Sequence, residues 1–166
     1  MKNIQWIKDG KKELLKKEDE VLIDLSFQPG GVSHFSINNK NFAVNRKGFW
    51  NPVYSVTENE KEVLLLSHNF WGSNGKLVFA DGAVYACVYQ NKGGLKMKFL
   101  KGDMEILSYG LEMKNHRPET TFHLGIALVD AEKLLLLAAL GKVIFSTLFM
   151  EDSSGDDFLL STLLLV

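Results

Sequence analysis

Residues 134–140 are apolar without a break, Leu-Leu-Leu-Leu-Ala-Ala-Leu. The surrounding stretch 131–150 holds no proline and follows Asp130, a residue type that caps helix N-termini, so it reads as one helix. A helix apolar on every face cannot lie on a protein surface and must be enclosed by protein or by lipid. Lys142 interrupts the run and Glu151 with Asp152 closes it, which leaves it short of the roughly twenty uninterrupted apolar residues of a membrane span. Enclosure by the rest of the chain is therefore the expectation. A membrane anchor is the alternative, because 134–150 and the tail 158–166 together carry much apolar surface. Against it, a lysine at the centre of a span costs about 2.5–3.5 kcal/mol on insertion scales, less when it snorkels.

The chain before the helix is built differently. Short apolar or alternating runs recur every eight to twelve residues or so between turn residues, the rhythm of a β-barrel or sandwich. They are residues 21–27, 33–37, 42–45, 53–57, 62–68, 76–80, 83–90, 95–100, 104–111 and 121–128. Turn signals separate them, among them Pro29-Gly30-Gly31, Asn38-Asn39 and Asp81-Gly82. Alternation is sharpest where Leu95, Met97 and Phe99 oppose Lys96 and Lys98, a half-buried strand with a basic outer face. Residues 4–17 are a hairpin turning at Asp9-Gly10 or an amphipathic helix, and the Asp-Gly pair favours the hairpin. The phrase Gly48-Phe49-Trp50 and its echo Phe70-Trp71-Gly72 suggest repeated hairpins. The expected fold is mainly β: an antiparallel closed barrel of about eleven to twelve strands around the helix 131–150. About eleven strands can enclose a helix, whereas eight leave room for side chains alone.

At 166 residues the chain suits one domain, 1–166, with the segment 158–166 unplaced. Nineteen basic and twenty acidic side chains leave a net charge of -1, so no overall field favours nucleic acid, and none is expected as a partner. The single cysteine, Cys87, excludes an internal disulfide framework. The first twenty residues lack the apolar core of a signal peptide, and the expected location is cytoplasmic, with membrane-peripheral contact left open.

Many short strands followed by one apolar helix resemble the barrel superfamily of the tubby C-terminal domain, phospholipid scramblases and LURP-one-related proteins. The local likeness lies in Asn69-Phe70-Trp71-Gly72-Ser73-Asn74-Gly75-Lys76-Leu77, then Ala80-Asp81-Gly82 and Tyr85, and it is to small bacterial members of unassigned function. The resemblance implies a hydrophobic C-terminal helix threading a closed barrel. No catalytic or lipid-binding residue transfers with it, and residues 158–166 extend beyond the expected end of the barrel helix.

Catalytic motifs are absent from the sequence: no His-Glu-x-x-His, no Cys-x-x-Cys and no phosphate-binding glycine loop, and Gly72-Ser73-Asn74-Gly75 is not a nucleophile elbow. His34, His68, His116 and His123 are scattered, although folding could gather two of them near Cys87. Asp152-Ser153-Ser154-Gly155-Asp156-Asp157 has oxygen ligands but not the spacing of a calcium loop, and reads as a solvated turn. Trp6, Trp50 and Trp71, with Phe49 and Phe70, are either a stacking platform or plugs at the barrel ends. No catalytic residue, metal or cofactor is assigned.

The candidate ligand contacts are basic: Lys40, Arg46 and Lys47 in one group, and Lys92, Lys96 and Lys98 in another. Near an anionic surface each such residue is worth about 1 kcal/mol, unless Glu58, Glu60 and Glu62 lie close enough to cancel it. The same lysines equally serve to solubilise strand faces. Two functions follow as expectations. One is a non-enzymatic binding or scaffold domain touching anionic phospholipid or a protein. The other is a lipocalin-like carrier or enzyme holding a small apolar ligand inside the barrel, which needs the helix to lie outside.

Overall fold

The structure is a computed structural model that describes residues 3–48, 51–68, 74–90 and 94–150. Among these residues twelve strands precede one helix. They are β1 (Ile4–Asp9), β2 (Lys12–Lys17), β3 (Glu20–Ser26), β4 (Ser33–Ile37), β5 (Lys40–Lys47), β6 (Val53–Glu58), β7 (Lys61–His68), β8 (Asn74–Phe79), β9 (Val84–Gln90), β10 (Lys96–Lys101), β11 (Met104–Lys114) and β12 (Arg117–Leu124), followed by α1 (Ala131–Met150). Each strand pairs antiparallel with its neighbours in sequence, giving one meander in the order β1 to β12. The sheet curls into a nearly closed barrel, with β1 and β12 as its two ends and no strand pairing between them among the described residues.

The turns explain why the meander closes so tightly. Asn38-Asn39, Asn59-Glu60 and Asn115-His116 each join two strands through two residues, both with positive φ. That combination matches the right-handed twist of the strands it connects, and asparagine tolerates it well. The turn at Asn115-His116 also starts β12 four residues before the expected run at 121. Beyond β12 the chain stays beside β11, where Gly125 N–H donates to the Ile106 carbonyl at 2.8 Å and Ala127 N–H to the Glu105 carbonyl at 3.1 Å. At the other end of the chain the hairpin reading holds: Asp9 pairs with Lys12 around Gly10, and Trp6 with Leu15.

Alternation decides which side chains point inward. Phe42 and Val44 on β5, Tyr54 and Val56 on β6, Leu64 and Leu66 on β7, Leu77 and Phe79 on β8, and Met97 and Phe99 on β10 are all buried. Their intervening neighbours face solvent in whole or in part. They share one core with Leu136, Leu137, Ala138, Ala139, Leu140, Val143, Ile144 and Phe145 of α1. The helix packs most closely on β3, β4 and β11.

Asp130 caps α1, its Oδ1 accepting from Lys133 N–H at 2.8 Å. Ion pairs tie the same end of the helix to two strand turns: Lys40 to Glu132 at 3.3 Å, and Lys133 to Asp81 of the β8–β9 connection. These exposed pairs are screened by solvent and contribute little to stability. Burial of each Leu, Ile or Phe contributes roughly 1.5–3 kcal/mol before entropy is subtracted. The apolar face of α1 therefore sets its position and the charged N-terminal turn its orientation. Lys142, the one charge in the run, lies with Nζ 5.5 Å from the centre of the Trp6 ring on β1. Among the described residues no helix is long and apolar enough to cross a membrane, and residues 136–145 of α1 are packed in the barrel core.

Candidate functional site

Strand direction sorts the barrel into two ends. At one, α1 begins beside Lys40 and the β8–β9 turn. At the other, the mouth, β5 ends at Lys47, β7 at His68 and β9 at Gln90, while β6, β8 and β10 begin. The core rows reach the mouth and become polar there. Phe42 and Val44 are followed on the same inward face by Arg46, Leu64 and Leu66 by His68, and Tyr85 and Cys87 by Tyr89. Arg46 pairs in register with Tyr54, and its guanidinium sits 6.0 Å from the centre of the Tyr54 ring. Such a contact stabilises by about 0.5–1 kcal/mol where solvent still reaches it.

The next layer is held by hydrogen bonds. His68 Nδ1–H donates to the Pro52 carbonyl at 2.8 Å, because a carbonyl can only accept. In this tautomer Nε2 is the acceptor, and the Tyr89 hydroxyl 2.8 Å away donates to it. Tyr54 packs edge-on against His68, with ring centres 6.3 Å apart. Burial lowers the His68 pKa from 6.5, with the nearby Arg46 charge acting the same way, while the Pro52 hydrogen bond opposes them. The imidazole is thus neutral at pH 7. The Cys87 thiol, also in contact with the Tyr89 hydroxyl, is pushed up to about 12 by burial and stays protonated. A thiolate is the reactive form, so this arrangement does not favour nucleophilic chemistry at Cys87.

Beside this layer a cleft of about 430 Å³ opens between the β3–β4 connection, β5, β6 and the later turns of α1. Phe27, Val32, Val44 and Val143 supply apolar wall, while Ser33, Asn45, Arg46, Tyr54 and Thr147 supply polar groups. Ser33 Oγ accepts from Gln28 N–H at 3.0 Å and Thr147 Oγ1 donates to the Val143 carbonyl at 2.8 Å, so both are engaged within the protein. Gly48 has φ 88°. A Cβ there would stand 2.9 Å from the Asn51 carbonyl oxygen, so glycine is required where β5 leaves the cleft. Arg46 is the one charged side chain among the described lining residues.

The structure separates the basic residues grouped by sequence. Lys40 lies at the helix-entry end in its pair with Glu132, while Arg46 and Lys47 are at the mouth. Only Arg46 is on the inward face; Lys47 is on the outer one. Lys96 and Lys98 alternate with buried Met97 and Phe99 and face outward on β10, with Lys98 3.9 Å from Glu105. Lys92 lies outside the described residues. Glu58 and the turn residue Glu60 lie at the end opposite Arg46, Glu62 accepts from Ser55 Oγ at 3.0 Å, and none of the three forms an ion pair with Arg46.

Of the four histidines, only His68 comes near Cys87, through Tyr89; His34, His116 and His123 are exposed elsewhere. No group of three potential metal ligands occurs among the described residues. Trp6 is part of the packing: its Nε1–H donates to the Tyr109 hydroxyl at 2.8 Å. Phe49, Trp50, Phe70, Trp71, the loop 152–157 and the tail 158–166 lie outside the described residues. Sequence reasoning missed the roles of Tyr54 and Tyr89. Counting strand parity from Phe42, Leu64 and Tyr85 would have put Arg46, His68 and Tyr89 on the inner face.

In comparison with known proteins, the chain matches no family model, no curated protein and no solved structure.

Proposed function

We propose that this domain is a non-enzymatic binding module and that the cleft at the barrel mouth is its site. The observation that carries the reading is Arg46. It continues an inward-facing apolar row, is stacked on Tyr54, and has no carboxylate partner among the described residues, at the edge of a cleft with apolar walls. Pockets of about 300–1,000 Å³ with a few placed polar groups are the usual form of small-molecule sites. The alternative of a ligand deep inside the barrel is disfavoured, because side chains from Leu136 to Phe145 fill that space. A ligand at the mouth sits on this packing without displacing it.

At the level of partners, the proposal is peripheral contact with anionic phospholipid or with a protein. The first is supported by Lys47 and Lys96 on the outer surface at the mouth end. The resemblance to tubby-like barrels is consistent with a binding role and remains part of the proposal.

Amide chemical-shift mapping of the full chain against a set of small apolar and charged compounds tests the site. Shifts gathered on Gly31, Val44, Arg46 and Thr147, weakened by Val32→Trp at the exposed rim, support it. Shifts scattered over the barrel, or unaffected by Val32→Trp, overturn it. Co-sedimentation with phosphatidylserine vesicles at low salt, where surface electrostatics is strongest, tests the lipid partner. Failure to bind there removes the lipid and leaves the protein partner.

A further inference from the structure

Charge is distributed very unevenly in the mouth cleft. Its walls are apolar on both sides, from Phe27 and Val32 to Val143, and its described lining contains a single cation and no carboxylate. The guanidinium lies over the Tyr54 ring. Arginine's planar fork presents parallel N–H groups that match a carboxylate in two hydrogen bonds. His68, behind Tyr54, adds no charge in its neutral form.

With the cleft taken as the binding site, we propose that its ligand is a monocarboxylate with an apolar body, such as a medium-chain fatty acid. A polyphosphorylated headgroup needs several cations around it, and one arginine does not supply them. A neutral apolar ligand would leave Arg46 without use. The helix narrows the choice of pose. α1 runs toward this end with its C-terminal carbonyls leading, and those carry partial negative charge. The carboxylate therefore sits on the β5 side against Arg46, and the alkyl chain lies along Val143 and Val44. Arg46 is exposed, so its attraction is partly screened. Burial of the chain supplies most of the affinity, and the charge supplies the preference for an acid over an alcohol.

The experiment is a pair of titrations followed by amide chemical shifts, octanoate against 1-octanol, on the full chain and on Arg46→Met and Arg46→Lys. Acetate and inorganic phosphate serve as head-only probes. Octanoate is expected to shift Gly31, Val44, Arg46 and Thr147 and to bind at least five-fold more tightly than octanol. Arg46→Met should erase that preference while octanol still shifts the cleft residues, and Arg46→Lys should keep part of it. Acetate and phosphate should bind far more weakly than octanoate. If octanol binds the cleft as tightly as octanoate, or Arg46→Met binds octanoate as the parent does, the acid preference is wrong while the cleft remains a site. If phosphate alone binds as well as octanoate, the apolar body is wrong. If neither amphiphile shifts the cleft residues, both the ligand class and the site fall.

Discussion

The Tyr109 hydroxyl donates to the Ala138 carbonyl at 2.7 Å and accepts from Trp6 Nε1–H at 2.8 Å. One buried phenol thus joins α1, β11 and β1, across the place where strand pairing stops. Tyr109→Phe keeps the ring packing against Phe122 and Phe145 and removes both hydrogen bonds. A cost of about 1–3 kcal/mol is expected, because Trp6 N–H loses its partner in a part-buried site. Urea unfolding measures it, and an unchanged midpoint would mean that this link does not hold the barrel edge.

Gly141 faces the same ring. A Cβ there would lie 2.4 Å from Tyr109 Cε2 and 3.2 Å from Phe99 Cε2. In an open helix, replacing Gly by Ala stabilises by about 1 kcal/mol. Gly141→Ala is expected to do the opposite and destabilise by about 1–3 kcal/mol, since the aromatic core must shift to admit a methyl group. The sign of the change in melting temperature decides the matter.

His68 gives the domain a pH dependence of defined sign. Its folded pKa is lowered from 6.5, chiefly by burial. The unfolded chain therefore binds a proton more readily in the window between the lowered value and 6.5. The contribution to stability is complete above about pH 6.5 and is lost as the pH falls through that window. Denaturant midpoints measured from pH 8 down to pH 5 should fall, and His68→Gln should flatten the slope. An equally steep slope in the variant would assign the effect to other groups.

Much of this architecture is legible in the order of the amino acids alone. Each of the ten strand-like runs overlaps a strand, and residues 131–150 form the helix. The physical reason is that a two-residue side-chain period and a proline-free apolar run leave few other ways to bury Leu, Phe and Val. The site was less accessible. Arg46 and Lys47 are adjacent and alike in charge, yet one faces the cleft and the other the outside, and only strand parity separates them. The His68–Tyr89 bond joins residues 21 apart in sequence and follows from register, which no local motif reports. The grouping of Lys40 with Arg46 failed because an eight-residue strand carries its ends to opposite rims.

Glu60 is a residue type ill suited to its place. In the Asn59-Glu60 turn it has φ 67°, a conformation that costs an L-residue roughly 1–2 kcal/mol and glycine almost nothing. Glu60 is exposed. Glu60→Gly is expected to stabilise by about 1 kcal/mol, read as a higher denaturant midpoint with an unchanged slope. A lower midpoint would show that the glutamate side chain contributes more than the strain it carries.

α1 shares one core with the inner face of the nearly closed twelve-stranded barrel. Native-state hydrogen exchange tests it without altering the chain. The amides from Leu136 to Phe145 should exchange as slowly as those of β7 and β10, and only through global unfolding, so their protection should fall in step with added denaturant. Exchange of these amides at the rate of the strand turns, while the strands stay protected, would show that the helix opens independently and is not part of the barrel core.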